Sequence, residues 1–222
     1  MPEDAEFSAL DPEVRRELRG LPKTLAERVG QHLVAAGMLL DEDPEKALRH
    51  ARYARQNASR VAVVREAVGL AAYHAGEWAE AIAELRAVRR MSGSNSHVAV
   101  LADCERALGR PERAIELARE TPASALDERT ATELRIVAAG ARGDMGQLDA
   151  AVVSLQGSDL DPKVRHPWSA RLFYAYADNL LAAGRTDEAI RWFLNAADAD
   201  DEGETDAAER AMELGGAGTE GE

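Results

Sequence analysis

The stretch HAGEWAEAIAELRAV at residues 74–88 is written again as AAGRTDEAIRWFLNA at 182–196. Gly76 and Gly184 are each followed, four, five and six residues on, by Glu, Ala and Ile. Around the first glycine the apolar residues recur at helical spacing: Ala67, Leu70 and Ala71, with His74 on the same strip, and beyond it Ala81, Ile82, Leu85 and Val88. Such a pattern predicts two helices that run antiparallel and are joined by a tight turn. Glycine stands where the first of them must stop, because it takes the left-handed conformation without steric penalty.

The same grammar recurs along the chain. Aligned on the small alanine that follows the turn, the units fall at Ala47, Ala81, Ala114, Ala151 and Ala189, at intervals of 34, 33, 37 and 38 residues. A fixed period of this length is the mark of stacked helical units. Gly109 and Gly146 occupy the turn position of the third and fourth units. Pro44 and Pro111 open second helices, where a missing N–H costs nothing. The alanine itself is expected where two helix backbones cross too closely for a larger side chain. The predicted architecture is therefore an all-α solenoid of five hairpins over 22–199. A segment 1–21 precedes it, disordered over 1–9 and forming a capping helix near 11–19. An acidic tail, 200–222, carries a short helix near 204–214 and ends in a stretch, LGGAGTEGE, of disordered composition.

This pattern resembles the tetratricopeptide repeat. The likeness is densest in the second unit, where Gly69, Tyr73, Gly76, Trp78, Ala81, Ile82 and Leu85 fall in register, and in the fifth, with Gly184, Ala189, Ile190, Phe193 and Ala196. It extends over about residues 24–199. The first unit departs from it with Glu42 at the glycine place, the fourth is degenerate, and the loops before the fourth and fifth are lengthened. The resemblance implies that the first helix of each unit lines a concave groove for a peptide or helix of a partner protein. By register the groove residues are Val29, His32, Ala36, Val63, Glu66, Leu70, Tyr73, Ala99, Asp103, Arg106, Ile136, Tyr174 and Asp178. Members that bind chaperones clamp a terminal carboxylate with Lys and Asn. The matched places here hold His32, Ala36, Glu66 and Leu70, so that clamp is absent and an amphipathic helix or an extended apolar segment is the expected guest.

Composition narrows the remaining classes. The net charge is −13 and the sole cysteine is Cys104, so neither an internal disulfide nor a thiolate metal cluster is expected. The start MPEDAEFSALDPEV has no basic apolar leader, and nowhere do 18 apolar residues run together. A cytoplasmic protein without a membrane partner is expected. The shortage of lysine, present only at 23, 46 and 163, is a bias associated with bacterial genomes of high GC content. His32, His50, His74, His97 and His166 form no paired motif, and no phosphate-cradling or nucleophile-elbow sequence occurs. No enzyme activity, metal or cofactor is expected. Asp41, Glu42 and Asp43 read as a helix start capped by Asp43, and SGSNSH at 92–97 as a connector whose Ser or Asn caps the next helix. Trp78 and Trp192 are expected in the core.

One charge signal stands out from this background. Residues 46–65, KALRHARYARQNASRVAVVR, carry Arg49, Arg52 and Arg55 at three-residue spacing on a second helix. The strip suits docking on an acidic protein, or on ribosome or nucleic acid as an alternative, although no aromatic platform accompanies it. The acidic tail is a candidate to fold back onto it. A homodimer formed through the last hairpin or the C-terminal helix is the other alternative.

Overall fold

The computed structural model of the chain describes residues 1–2 and 4–217, and among them there are helices and turns but no strand. The helices are α1 (Pro12–Glu17), α2 (Lys23–Met38), α3 (Pro44–Ala58), α4 (Ala62–His74), α5 (Trp78–Ser92), α6 (Val98–Ala107), α7 (Pro111–Glu120), α8 (Glu128–Asp144), α9 (Leu148–Leu155), α10 (Ser169–Ala182), α11 (Thr186–Ala199) and α12 (Ala207–Ala217). Short 3₁₀ turns occur at Phe7–Ala9, Leu18–Gly20 and Ala123–Ala125. None of the helices is long and apolar enough to cross a membrane.

The turns explain why the pairs form. Gly76 has φ 74° and Gly184 φ 77°. In each case the residue after the glycine sends its N–H back into the last turn, Glu77 to the Ala72 carbonyl at 2.8 Å and Arg185 to Leu180 at 2.9 Å. The fourth pair, degenerate in sequence, closes the same way, with the Gln147 N–H on the Arg142 carbonyl at 2.9 Å. The first pair lacks the glycine and uses a longer turn. There the Asp43 N–H donates to the Leu39 carbonyl at 2.9 Å, and the Asp43 carboxylate then caps α3 by accepting from the Lys46 N–H at 3.0 Å. All five alanines that mark the period have no exposed surface. The α4–α5 crossing is tighter still, since a Cβ placed on Gly69 would lie 2.5 Å from the Leu85 side chain.

The chain forms two compact units, 1–108 and 109–222. α6 closes the first unit and α7 opens the second. In the first unit α2 to α6 pack in chain order, and α2 also touches α4. Of the segment 1–9, expected to be disordered, Ala5 and Phe7 pack into this unit. Ala5 is buried, and the Phe7 ring fills the notch at Gly30 so closely that an added Cβ there would lie 2.2 Å from it. Apolar Phe7 and Leu10 gain more by covering that notch than the flanking acids gain from water.

In the second unit α7 to α12 pack in chain order, and α8 also touches α10. Its core holds Val152, Leu155, Leu172, Phe173, Leu180 and Phe193, with Trp192 packed edge-on to Phe173 and Tyr176. The C-terminal helix begins later than expected because Asp200 organises a turn before it, accepting from the Glu204 and Thr205 N–H groups at 2.8 and 2.7 Å. Buried Ala207 and Ala211 seat α12 on the core. Of the expected disordered end, residues 214–217 belong to α12 and 218–222 lie outside the described residues.

Candidate partner-binding surface

Ten of the candidate groove residues belong to the first unit. Val63, Glu66, Leu70 and Tyr73 share a face of α4 by their spacing and are all half-buried. Two rungs tie this face to α6 and its N-terminal flank. The His97 ring donates through Nε2 to Glu66 Oε1 at 2.8 Å, and the Tyr73 hydroxyl donates to Asp103 Oδ2 at 2.7 Å. Asp103 also accepts from Arg106 Nη1 at 3.4 Å, and the Tyr73 ring stands edge-on to Trp78. Leu70 falls between the two rungs along α4. The side chains that bracket it are therefore held before any guest arrives, which lowers the ordering cost of binding.

Val63 sits where α1 ends. Its N–H donates to Glu17 Oε2 at 3.2 Å, and its side chain packs on the cluster that contains Leu18 and Val29. Val29 and Ala36, placed in the groove by register, are buried and line no surface; Ala99 is half-buried. The register identified a helix face and not its depth. His32 turns toward α3, stacked on Tyr53 at 3.9 Å between ring centroids, with its Nδ1 at 2.9 Å from His50 Nδ1. That contact needs at least one neutral ring, because an N–H must face a lone pair. Burial first, then mutual repulsion and the nearby N-terminus and Arg28, hold His32 below the ordinary histidine range. His50 is lowered by burial first, then by the N-terminus and Arg49.

The remaining three candidates belong to the second unit. Ile136 packs against the core cluster. Tyr174 and Asp178 on α10 are held by α12: Arg210 donates to the Tyr174 hydroxyl and to Asp178 Oδ1, each at 3.0 Å, with its guanidinium 4.9 Å from the Phe193 ring centre. Burial first, then a hydrogen bond with Asp206, pushes the Tyr174 phenol above its usual range. The chain's own last helix thus occupies this part of the predicted groove.

The arginine strip is largely committed. Arg52 donates to Glu80 Oε2 from Nε at 3.1 Å and Nη2 at 2.5 Å. Arg55 and Arg65 converge on Glu84, at 2.5 and 2.7 Å. The Glu84 side chain is only 7% exposed, so it serves as the buried anchor of the group. Arg49 is exposed. No local sequence signal joined these arginines to α5, since their partners lie 19 to 29 residues away.

The residues suspected of chemistry have structural surroundings. Cys104 has no exposed surface and burial pushes its thiol up to about 12, so it is protonated at neutral pH. Asp43 is an N-cap, with its carboxyl held below the usual range first by its side-chain bond to Lys46. In the connector at 92–97, Ser94 and Ser96 N–H groups bond to the preceding serine hydroxyls, while α6 begins at Val98 after His97 as N-cap, without the side-chain cap expected of Ser or Asn. Among the described residues no group of three or more His, Cys, Asp or Glu is placed to hold a metal ion.

A scan of the chain against models of known protein families finds no match, and a search of curated protein sequences finds none.

Proposed function

We propose that the chain is a tetratricopeptide-like repeat protein that works as a non-enzymatic adaptor in the cytoplasm of a bacterium. Its α4–α6 face holds an apolar segment or amphipathic helix of a partner protein. The observation that carries this reading is the pair of rungs Glu66–His97 and Tyr73–Asp103, which fixes polar groups on either side of Leu70. A surface of that kind offers a set apolar contact flanked by oriented hydrogen-bonding atoms. The arginine strip supports a phosphate-binding role less well, because Arg52 and Arg55 already meet carboxylates.

The test is affinity capture with quantitative mass spectrometry, run on the parent and on Leu70→Glu, followed by calorimetry with the purified partner. The expected result is one enriched protein whose affinity falls at least about tenfold in the variant while circular dichroism stays unchanged. Equal binding by parent and variant would refute the assignment of the face. A second reading, self-association of the second unit, draws support from Leu194 and Met212, 54% and 68% exposed on α11 and α12. Light scattering that is independent of concentration would remove it.

A further inference from the structure

Positive charge gathers near the start of this acidic chain. Arg15, Arg19 and Lys23 recur every four residues through α1, the turn at Leu18–Gly20 and the first residue of α2, and Glu27 follows at the same spacing. These four side chains line one pocket in the first unit, which encloses about 540 Å³, within the range of small-molecule sites. Arg19, Lys23 and Glu27 are exposed and Arg15 is half-buried, so a ligand can reach all of them. Phe7, Pro12 and Leu21 also line the pocket, and none of the three is fully buried, so they offer it apolar surface. Buried Leu18 and Ala26 complete the apolar lining.

Among the described residues none of the four charged side chains makes a hydrogen bond or an ion pair. The acids of the same segment are committed elsewhere. Asp11 caps α1 by accepting from the Glu13 N–H at 2.7 Å, Glu13 accepts from Arg16 at 3.2 Å, and Glu17 accepts from the Val63 N–H at 3.2 Å. The pocket therefore sets three cations against Glu27 alone, a surplus of two positive charges on a chain whose net charge is −13. A concave wall with an excess of one sign concentrates ions of the other. We infer that this pocket binds a soluble phosphomonoester with an apolar body. Such an ester carries close to two negative charges at neutral pH, which balance the surplus, whereas a carboxylate balances half of it. Guanidiniums suit phosphate oxygens because they donate in pairs. Inorganic phosphate would leave the apolar surface of Phe7 and Leu21 in water. An acidic membrane is a poor source of the ester, because the negative surface potential of the bilayer opposes a chain of this charge. The pocket shares no residue with the α4–α6 face and does not depend on its role.

The test uses the full chain with hexyl phosphate as probe, followed by calorimetry and amide chemical shifts. Inorganic phosphate, 1-hexanol and hexanoate are the comparators. Hexyl phosphate is expected to saturate at micromolar to millimolar concentration, with shifts confined to the segment from Phe7 to Glu27. Inorganic phosphate and hexanol should each bind at least about tenfold more weakly, since each lacks one half of the ligand, and hexanoate should fall between. A double variant, Arg19→Gln with Lys23→Gln, removes two exposed cations that have no partner in the fold. It should melt with the parent and bind hexyl phosphate at least about tenfold more weakly. Arg28→Gln removes the same kind of charge from α2 outside the pocket and should bind as the parent does. Vesicles of phosphatidylcholine with phosphatidic acid should not sediment the chain. The proposal fails if hexyl phosphate shows no saturable binding at millimolar concentration, if any comparator matches it, or if the shifts fall elsewhere. It fails equally if the double variant binds as the parent does or melts lower, if Arg28→Gln weakens binding as much, or if the acidic vesicles sediment the chain.

Discussion

Glu84 is the residue whose replacement tests the packing of the first unit most sharply. Its carboxylate, 7% exposed, receives Arg55 at 2.5 Å and Arg65 at 2.7 Å, and these arginine side chains are 32% and 27% exposed. Glu84→Gln preserves volume, but one of its terminal atoms becomes an amide nitrogen that cannot accept from a guanidinium. Removing one member of a buried ion group costs about 3–5 kcal/mol, because the remaining charges stay desolvated. Water reaches both arginines in part, which places the expected loss at about 3 kcal/mol. For a transition of this size that corresponds to a fall in Tm on the order of 10 °C. Glu80, at 20% side-chain exposure, should cost only about 1 kcal/mol as Gln. Urea and thermal melts followed by circular dichroism measure both. Salt at about 1 M should shrink the Glu80 effect and leave most of the Glu84 effect, since screening reaches exposed pairs first. A Glu84→Gln variant that melts with the parent, or one less affected than Glu80→Gln, would refute the claim that this carboxylate anchors the strip.

Two further outcomes follow from pairs described above. The His32–His50 contact makes the first unit sensitive to mild acid: both rings are held below the ordinary histidine value of 6.5, so the unfolded chain binds protons first as pH falls. Their contribution is present above pH 6.5 and is lost progressively below it, and thermal melts of His50→Gln across that window should show a flatter decline than the parent. Arg210→Gln removes the guanidinium from Tyr174, Asp178 and the Phe193 ring. At 28% side-chain exposure it should loosen α12 by about 1 kcal/mol, seen as amide exchange about fivefold faster in α12 and unchanged exchange in α4.

The hairpins were legible because their signals are local and periodic. Gly76, Gly146 and Gly184 stop helices by their own conformational freedom, and the five alanines report a crossing that repeats with the chain. What escaped the sequence is pairwise and lies between helices. Phe7 on Gly30, Arg55 on Glu84, His32 on His50 and Arg210 on Tyr174 each join residues 18 to 36 apart, at separations no repeat template specifies. The register assigned Val29 and Ala36 to a surface, whereas both are buried. It also had no means of knowing that Arg210 of α12 would reach Tyr174 and Asp178.

Because within each unit a helix rests mainly on the helices written just before and after it, the loops that must close during folding are short. The entropy lost in bringing partners together is small at every step. Assembly can therefore start in either unit and spread within it, and a segment leaving the ribosome meets its first partner before the next one has been made.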